Sequence, residues 1–581
     1  MKMKNAILSL SVLIAMSFAV SAGDRTDKIT TNGIEWFFDK EYNVGQFANG
    51  DYWVMGPVVV EKITPSYDGR FHGWEVNPLY EGGQGFDARV DNFDGSLVPG
   101  LPYTARPGES LVKAVSYRLS EGSPRPSIRA AAVLTVVSEA PPNDGADVFR
   151  PAYVGSEKKL YRISDLETDL LPAYPDVRNA PSLNWVYERF RLVQLDHKPG
   201  KAGRYLHPAD HLPNYGADIG KDNADAVLRL MLDDPVEEKM PGLIAYVQYG
   251  IDLYHMMKIG HTWPEGGGHR PGQKIVITFA AVMLDEEEMK TGVLDAEFFH
   301  EDKGVVRDSK SGDVALFGFS NKADEERYWQ TLVSGLDGSP SGYKAYPDPY
   351  GYIDGGPTPG TNYQYCCTSL PWKGSALACH LMPELKSLWM HERFFEYADR
   401  YVEHGLWTQP DPCAPADDDW DNYGVTFGPD GNGGCIEDKN PSDGIGRFPE
   451  LHGTGANEGQ RGSSFQGALW NVYRYAERHH TATSPMNRFS NGVKADATFT
   501  VNAVKEGVQL EYASVGSHPI QVRVFDPAGR RVFQKEYQTS AAEGVMTIPT
   551  DGLAHASGIH CIEIRCGGKK ITRKLTLLNR L

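Results

Sequence analysis

The spacing of apolar residues changes twice along this chain, and that change limits the fold more than any single motif. From Gly23 to about Pro141, apolar and polar residues alternate, as in WFFDKEYNVGQFANGDYWVMGPVVVEKITP, ESLVKAVSYRLS and IRAAAVLTVVSEAPP. Alternation of this kind makes half-buried strands, and Asn49-Gly50 is a turn signal between two of them. From about Leu160 to His480 the spacing becomes helical. SLNWVYERFRLVQLD, PGLIAYVQYGIDLYHMMKIG, GQKIVITFAAVMLDEEEM and KGSALACHLMPELKSLW carry apolar residues at three- and four-residue intervals, several almost all the way round. From Asn491 the alternation returns in GVQLEYAS, IQVRVFDPAGRRVFQKEY, GIHCIEIRC and KKITRKLTLL. The expected fold is therefore multidomain α+β. A β-sandwich-like domain spans 23–150, a helical catalytic domain 151–485, and a small β domain 491–581.

The 581 residues suit roughly two to four domains. Many helices joined by long loops rich in His, Tyr, Trp and Asp suggest an α/α barrel, a ring of paired helices whose loops build one open face. An irregular helical bundle is the alternative.

The first residues, MKMKNAILSLSVLIAMSFAVSAG, read as a secretory signal. Lys2 and Lys4 form the basic end, Ala6–Val20 the apolar stretch, and Val20-Ser21-Ala22 a cleavage site near Ala22. The apolar run is short for a membrane anchor, and no later segment is apolar enough to span a bilayer. The formal charge is -18, and cleavage would make it more negative by two lysines. Such a surface repels phosphates and argues against nucleic acid as a partner.

Export permits disulfides among Cys366, Cys367, Cys379, Cys413, Cys435, Cys561 and Cys566. Cys413 and Cys435 bracket a glycine-rich acidic loop and are the best pair. Cys561 and Cys566 fall on opposite faces of one strand and should not join. An odd count leaves at least one thiol free or intermolecular.

Candidate chemistry concentrates in loops. GHTWPEGGGHRPGQK, residues 260–274, gathers His261, Trp263, Glu265, His269, Arg270 and Lys274 around three glycines. Glycine lets the backbone approach a ligand, and a cation beside an imidazole at a helix start favours an anion. RYLHPADHLPNYGADIGKDN adds His207, His211, Asn214 and Tyr215; Pro208 and Pro213 disfavour a regular helix that would pair the two histidines on zinc. Tyr254 ends the helix before the glycine loop. Tyr363, Tyr365 and Trp372 offer ring faces for sugars, and RFPELHGTGANEGQRGSS carries His452 and Asn457. The loop holding Asp417, Asp418, Asp419, Asp421, Asp430 and Asn432 would suit a structural calcium, although Pro441 stands where an EF-hand needs glutamate. No cofactor is required.

Two resemblances follow from these stretches. VFDPAGRRVFQKEY and GIHCIEIRCGGKKITRKLTLL resemble the C-terminal sorting domains of the type nine secretion system. That implies an immunoglobulin-like fold, partnership with the secretion machinery, and release or attachment at the outer-membrane surface. An ordinary immunoglobulin-like module is the alternative. The leader, helical region and His/Arg/Tyr/Asn loops together resemble the secreted α/α-barrel polysaccharide lyases, the alginate-lyase-like group in particular. The Asn-Asn-His triplet of that group does not occur. The resemblance implies β-elimination on a uronic-acid polysaccharide. A carboxylate-neutralising group, a base and an acid are then needed. His269, Arg270, Tyr254, His211 and Tyr365 are the catalytic candidates. Asn214, Tyr215, His261, Trp263, Glu265, Lys274, Tyr363, Trp372, His452 and Asn457 would bind substrate. A glycoside hydrolase using Asp252, Glu265 or Glu450, and a non-catalytic glycan-binding surface protein, remain the alternatives.

Overall fold

The computed structural model describes residues 24–117, 126–213, 215–264, 268–307, 315–317, 364, 367–404, 426–429, 435–437 and 462–474, and strand segments between 498 and 577. The chain divides into two compact units, Met1–Ala482 and Thr483–Leu581.

Strand β2 (Ile34–Gln46) organises the amino-terminal layer. β1 (Arg25–Thr31) pairs along it from Ile34 to Asn43, β4 (Val58–Thr64) pairs with its first half, and β3 (Tyr52–Met55) with its end. With β5 (Trp74–Val76), β6 (Tyr103–Ala105), β7 (Ser110–Ser116) and β8 (Ile128–Val137) the strands make one eight-stranded sheet. Its order is β5-β7-β8-β3-β2-β4-β6, with β1 off the path on β2 and one parallel pairing, β3 with β8. The expected sandwich-like layer is thus a single curled sheet, because β2 is long enough to belong to both halves. Alternate residues face inward: Ile34, Trp36 and Phe38 of β2 pack with Val58, Val60, Leu134 and Val136.

The other face of β7 and β8 is also buried. Val112, Ala114, Ala131 and Val133 join one core with the helices, which explains why IRAAAVLTVV is apolar at nearly every position. The helices are α1 (Leu183–Phe190), α2 (Gly200–Leu206), α3 (Gly216–Leu230), α4 (Val236–Lys258), α5 (Gln273–Met283), α6 (Glu287–Asp295), α7 (His300–Lys303), α8 (Ser369–Leu381), α9 (Pro383–Ser387), α10 (Glu392–His404) and α11 (Ser464–Leu469). Ser182 caps α1 by accepting from the Trp185 amide at 3.0 Å. Every residue of α5 is buried, between α4, α3 and α6. α8 packs on α3 and α10. No helix among the described residues is long and apolar enough to cross a membrane.

A buried ion network ties sheet to helices. Arg150 reaches Asp51, just before β3, at 2.6 Å and Asp252 of α4 at 2.5 Å. Asp252, weighed above as a hydrolase carboxylate, is therefore neutralised internally.

In the second unit β13 (Thr498–Val504), β14 (Gly507–Ala513) and β17 (Glu543–Pro549) form one antiparallel sheet. β15 (Ile520–Phe525), β16 (Arg531–Tyr537), β18 (Gly558–Cys566) and β19 (Lys569–Leu577) form another. The first unit also holds two short strand pairs, β9 (Val305–Arg307) with β10 (Ala315–Phe317) and β11 (Thr426–Pro429) with β12 (Cys435–Glu437).

Candidate active site

The Gly268–Gly272 return, α2 and the start of α3 meet at one place. Three backbone hydrogen bonds fasten the α2 region to the start of β8: Ser127 N–H to Tyr205 O, Ala209 N–H to Ile128 O, and Asp210 N–H to Arg129 O. Pro208 ends α2 at Leu206, as a proline must. α3 then begins at Gly216, where a β-carbon would collide with the carbonyl of His269. At Gly268 a β-carbon would lie 2.5 Å from the Tyr215 hydroxyl and 2.6 Å from Cys367. These two glycines let the return press against α3. Cys367 is disulfide-bonded, and Cys379 is a buried free thiol.

The exposed edge of this junction carries His269 and Tyr215, both half-buried. Their rings meet edge to face at 5.7 Å. Arg204 lies beneath, its guanidinium 4.8 Å from the Tyr215 ring centre and its Nη1 2.6 Å from His269 Nδ1. Arginine can only donate, so Nδ1 is the acceptor and the ring proton sits on Nε2. His269 Nε2–H thus belongs to a half-buried ring that stands beside a phenol and over a fixed positive charge.

Under that edge lies a buried network centred on Asp196. Its carboxylate takes Arg270 Nη1 at 2.8 Å and Trp263 Nε1 at 3.0 Å, with His207 Nε2 at 3.3 Å. Burial alone would raise the Asp196 carboxyl, but Arg270 and His207 hold it below the usual range. Arg270 also donates to Lys198 O at 3.0 Å. Next to it, Tyr153 Oη lies 3.0 Å from His197 Nδ1. Arg270 is 4% exposed, so the expected anion clamp is a positioning group instead: it holds Asp196 and the base of the glycine return.

Other expected substrate contacts turn out to be packed. Lys274, second in α5, is fully buried with Nζ 2.5 Å from Asp302. Trp263 stacks on Phe299, and Trp372 donates to His300 Nδ1 at 3.1 Å among Phe317, Phe394 and Tyr397. These rings were drawn in for their area, which a sugar face would also use. Tyr254 lies apart at the end of α4, against Lys258 and Gly292 of α6. Burial, then Glu288, pushes its hydroxyl up to about 12. His211 lies beside Arg189 and Asp210 at a pocket that His207 does not line. Asn214, Glu265, Tyr363, Tyr365, His452 and Asn457 lie outside the described residues, as do the calcium-loop aspartates, Asn432, Glu450 and residues 1–22. No group of metal-ligating side chains occurs among the described residues.

The sequence reading did not single out Asp196 or Arg204. Both stand in runs, LVQLDHK and GRYLHP, whose polar residues look like ordinary helix ends. No protein-family model matches the chain, and no curated protein matches it.

His261 supplies a test of the buried network. It is fully buried between Tyr80 (4.9 Å) and Trp263 (4.5 Å), and among the described residues neither ring nitrogen is hydrogen-bonded. Burial, then Arg270, lowers its pKa from 6.5 to about 3. The folded state therefore keeps it neutral while the unfolded state takes up a proton below 6.5, so its contribution to stability falls as pH drops from 6.5 toward 3. His261→Phe should be at least as stable as wild type at pH 7, because it removes two unpaired nitrogens. Below pH 6.5 the gap should widen by about 1.4 kcal/mol per pH unit. Urea unfolding of both proteins at pH 7, 6 and 5 checks this; a constant gap would mean His261 is paired or charged in the fold.

Proposed function

We propose that this chain is a secreted polysaccharide-degrading enzyme that cleaves a uronic-acid-containing glycan by β-elimination, with Tyr215, His269 and Arg204 as its reacting edge. The observation that carries the reading is the pairing of a phenol and an imidazole over a buried arginine. Elimination from a uronate needs little else. A base takes the proton beside the carboxylate, those electrons form the new C=C bond, and the C–O bond to the next sugar breaks. An acid then returns a proton to the leaving oxygen. The phenol of Tyr215 suits the proton transfers. The Nε2–H of His269 suits a hydrogen bond to the substrate carboxylate, which makes the adjacent C–H more acidic. Arg204 adds fixed positive charge, a local exception in an acidic protein.

Around this edge we take the helices of residues 151–485 to close into an α/α barrel. The two antiparallel sheets of the tail then form an immunoglobulin-like sorting domain that hands the enzyme to the secretion machinery after cleavage near Ala22. A disulfide at Cys367 suits export. The hydrolase alternative is weaker because Asp252 is bound to Arg150.

A panel of polysaccharides incubated with the full chain tests the reading. Release of unsaturated uronate, seen by its ultraviolet absorbance, is the expected result for at least one acidic glycan. New reducing ends without that absorbance would mean hydrolysis. Binding without any cleavage would mean a glycan-binding protein.

A further inference from the structure

Where the curled sheet meets α1, the structure forms an open pocket that the reacting edge does not use. Its volume is about 590 Å³, within the roughly 300–1,000 Å³ of small-molecule sites. Asn32 and Gly33 of the β1–β2 turn and Arg129 of β8 form one wall. Trp185, Glu188, Arg189 and Arg191, on and just after α1, form another, and Asp210 and His211 close it.

The charges there are unevenly paired. Arg189 donates to His211 O and lies 3.1 Å from Asp222, and Arg191 Nε lies 2.7 Å from Glu188. Arg129 is exposed and has no ion pair or side-chain hydrogen bond among the described residues. His211 presents two buried ring nitrogens without hydrogen bonds among the described residues. Trp185 keeps ring surface at the pocket beside the guanidinium of Arg189, 5.7 Å from the ring centre. An unpaired guanidinium calls for a carboxylate. An indole wall calls for a flat apolar face, and the Asn32 and Asp210 side chains can bond hydroxyl groups.

We propose that this pocket is a binding site for an acidic sugar residue, in which Arg129 takes the carboxylate and Trp185 packs on the ring. It places a second glycan contact on the β layer, and it stands apart from the elimination chemistry.

The test is calorimetric titration of the full chain with glucuronic acid, which has no sugar leaving group and so cannot report on cleavage. Saturable binding is expected. Arg129→Glu should weaken it at least about tenfold, since a charge-assisted bond is replaced by repulsion. Trp185→Ala should weaken glucuronate but leave acetate unchanged, and glucose should bind much more weakly than glucuronate. No saturable binding, or binding indifferent to Arg129→Glu, would overturn the proposal. Equal binding of acetate and glucuronate would reduce the pocket to an anion site and overturn it as a sugar site. Unsaturated products formed by a protein that fails this titration would remove this inference and leave the elimination reading standing. The reverse outcome would do the opposite.

Discussion

Tyr215→Phe should lower turnover on the cleavable glycan by roughly two or more powers of ten and leave the protein folded. Phenylalanine keeps the ring that Arg204 covers at 4.8 Å and that meets His269 at 5.7 Å, so only the hydroxyl is lost. If that hydroxyl moves the proton, the loss falls on kcat and survives at saturating substrate. His269→Gln should also impair the enzyme, but differently. Its amide can still accept from Arg204 and donate in turn, so part of the carboxylate contact is kept and the larger change should be in KM. A Tyr215→Phe enzyme with near wild-type kcat would move the acid and base elsewhere, and the search would turn to the tyrosines outside the described residues. Unchanged unfolding midpoints in both variants are needed for either result to count, and half-exposed side chains make them the expected finding.

How far the sequence could foretell this site is clearest at residues 269 and 270. The glycine-rich return was visible, and so was its place before a buried helix, because glycine runs and helical spacing are local signals. His and Arg side by side looked equally available. In the fold they part: His269 stays at the edge and Arg270 turns inward to Asp196. That choice is made by a carboxylate far away in sequence, and no local pattern carries it. The same holds for Trp263 and Trp372, whose rings suit a sugar or a core equally well until their neighbours are known. The curled sheet shows the opposite case. Alternation in β2 showed which residues face inward, whereas β8, grouped with the half-buried alternating strands, is covered on both faces. What alternation could not tell is that β2 would serve both halves of one sheet, since pairing partners are set by distant strands.

Arg270→Ala should unfold the protein at a clearly lower urea concentration than wild type, with a loss on the order of 3–5 kcal/mol. The reason is the charge left behind. Asp196 is fully buried, and Arg270 at 2.8 Å is its strongest counter-charge; Trp263 and His207 cannot replace it. Asp196→Ala should cost a similar amount, because it strands the guanidinium instead. Replacing both residues together, Asp196→Leu with Arg270→Met, should recover part of the loss, since a buried pair exchanged for apolar side chains leaves no lone charge. Arg129→Ala is the control: an exposed, unpaired arginine whose removal should change stability by less than about 0.5 kcal/mol. The pattern separates two roles for Arg270. If Arg270→Ala unfolded like wild type and lost only activity, the arginine would be a substrate clamp and Asp196 merely its neighbour. Loss of stability in both single variants, relieved in the double variant, would fix Arg270 as the strut that holds the glycine return, and with it His269, in place.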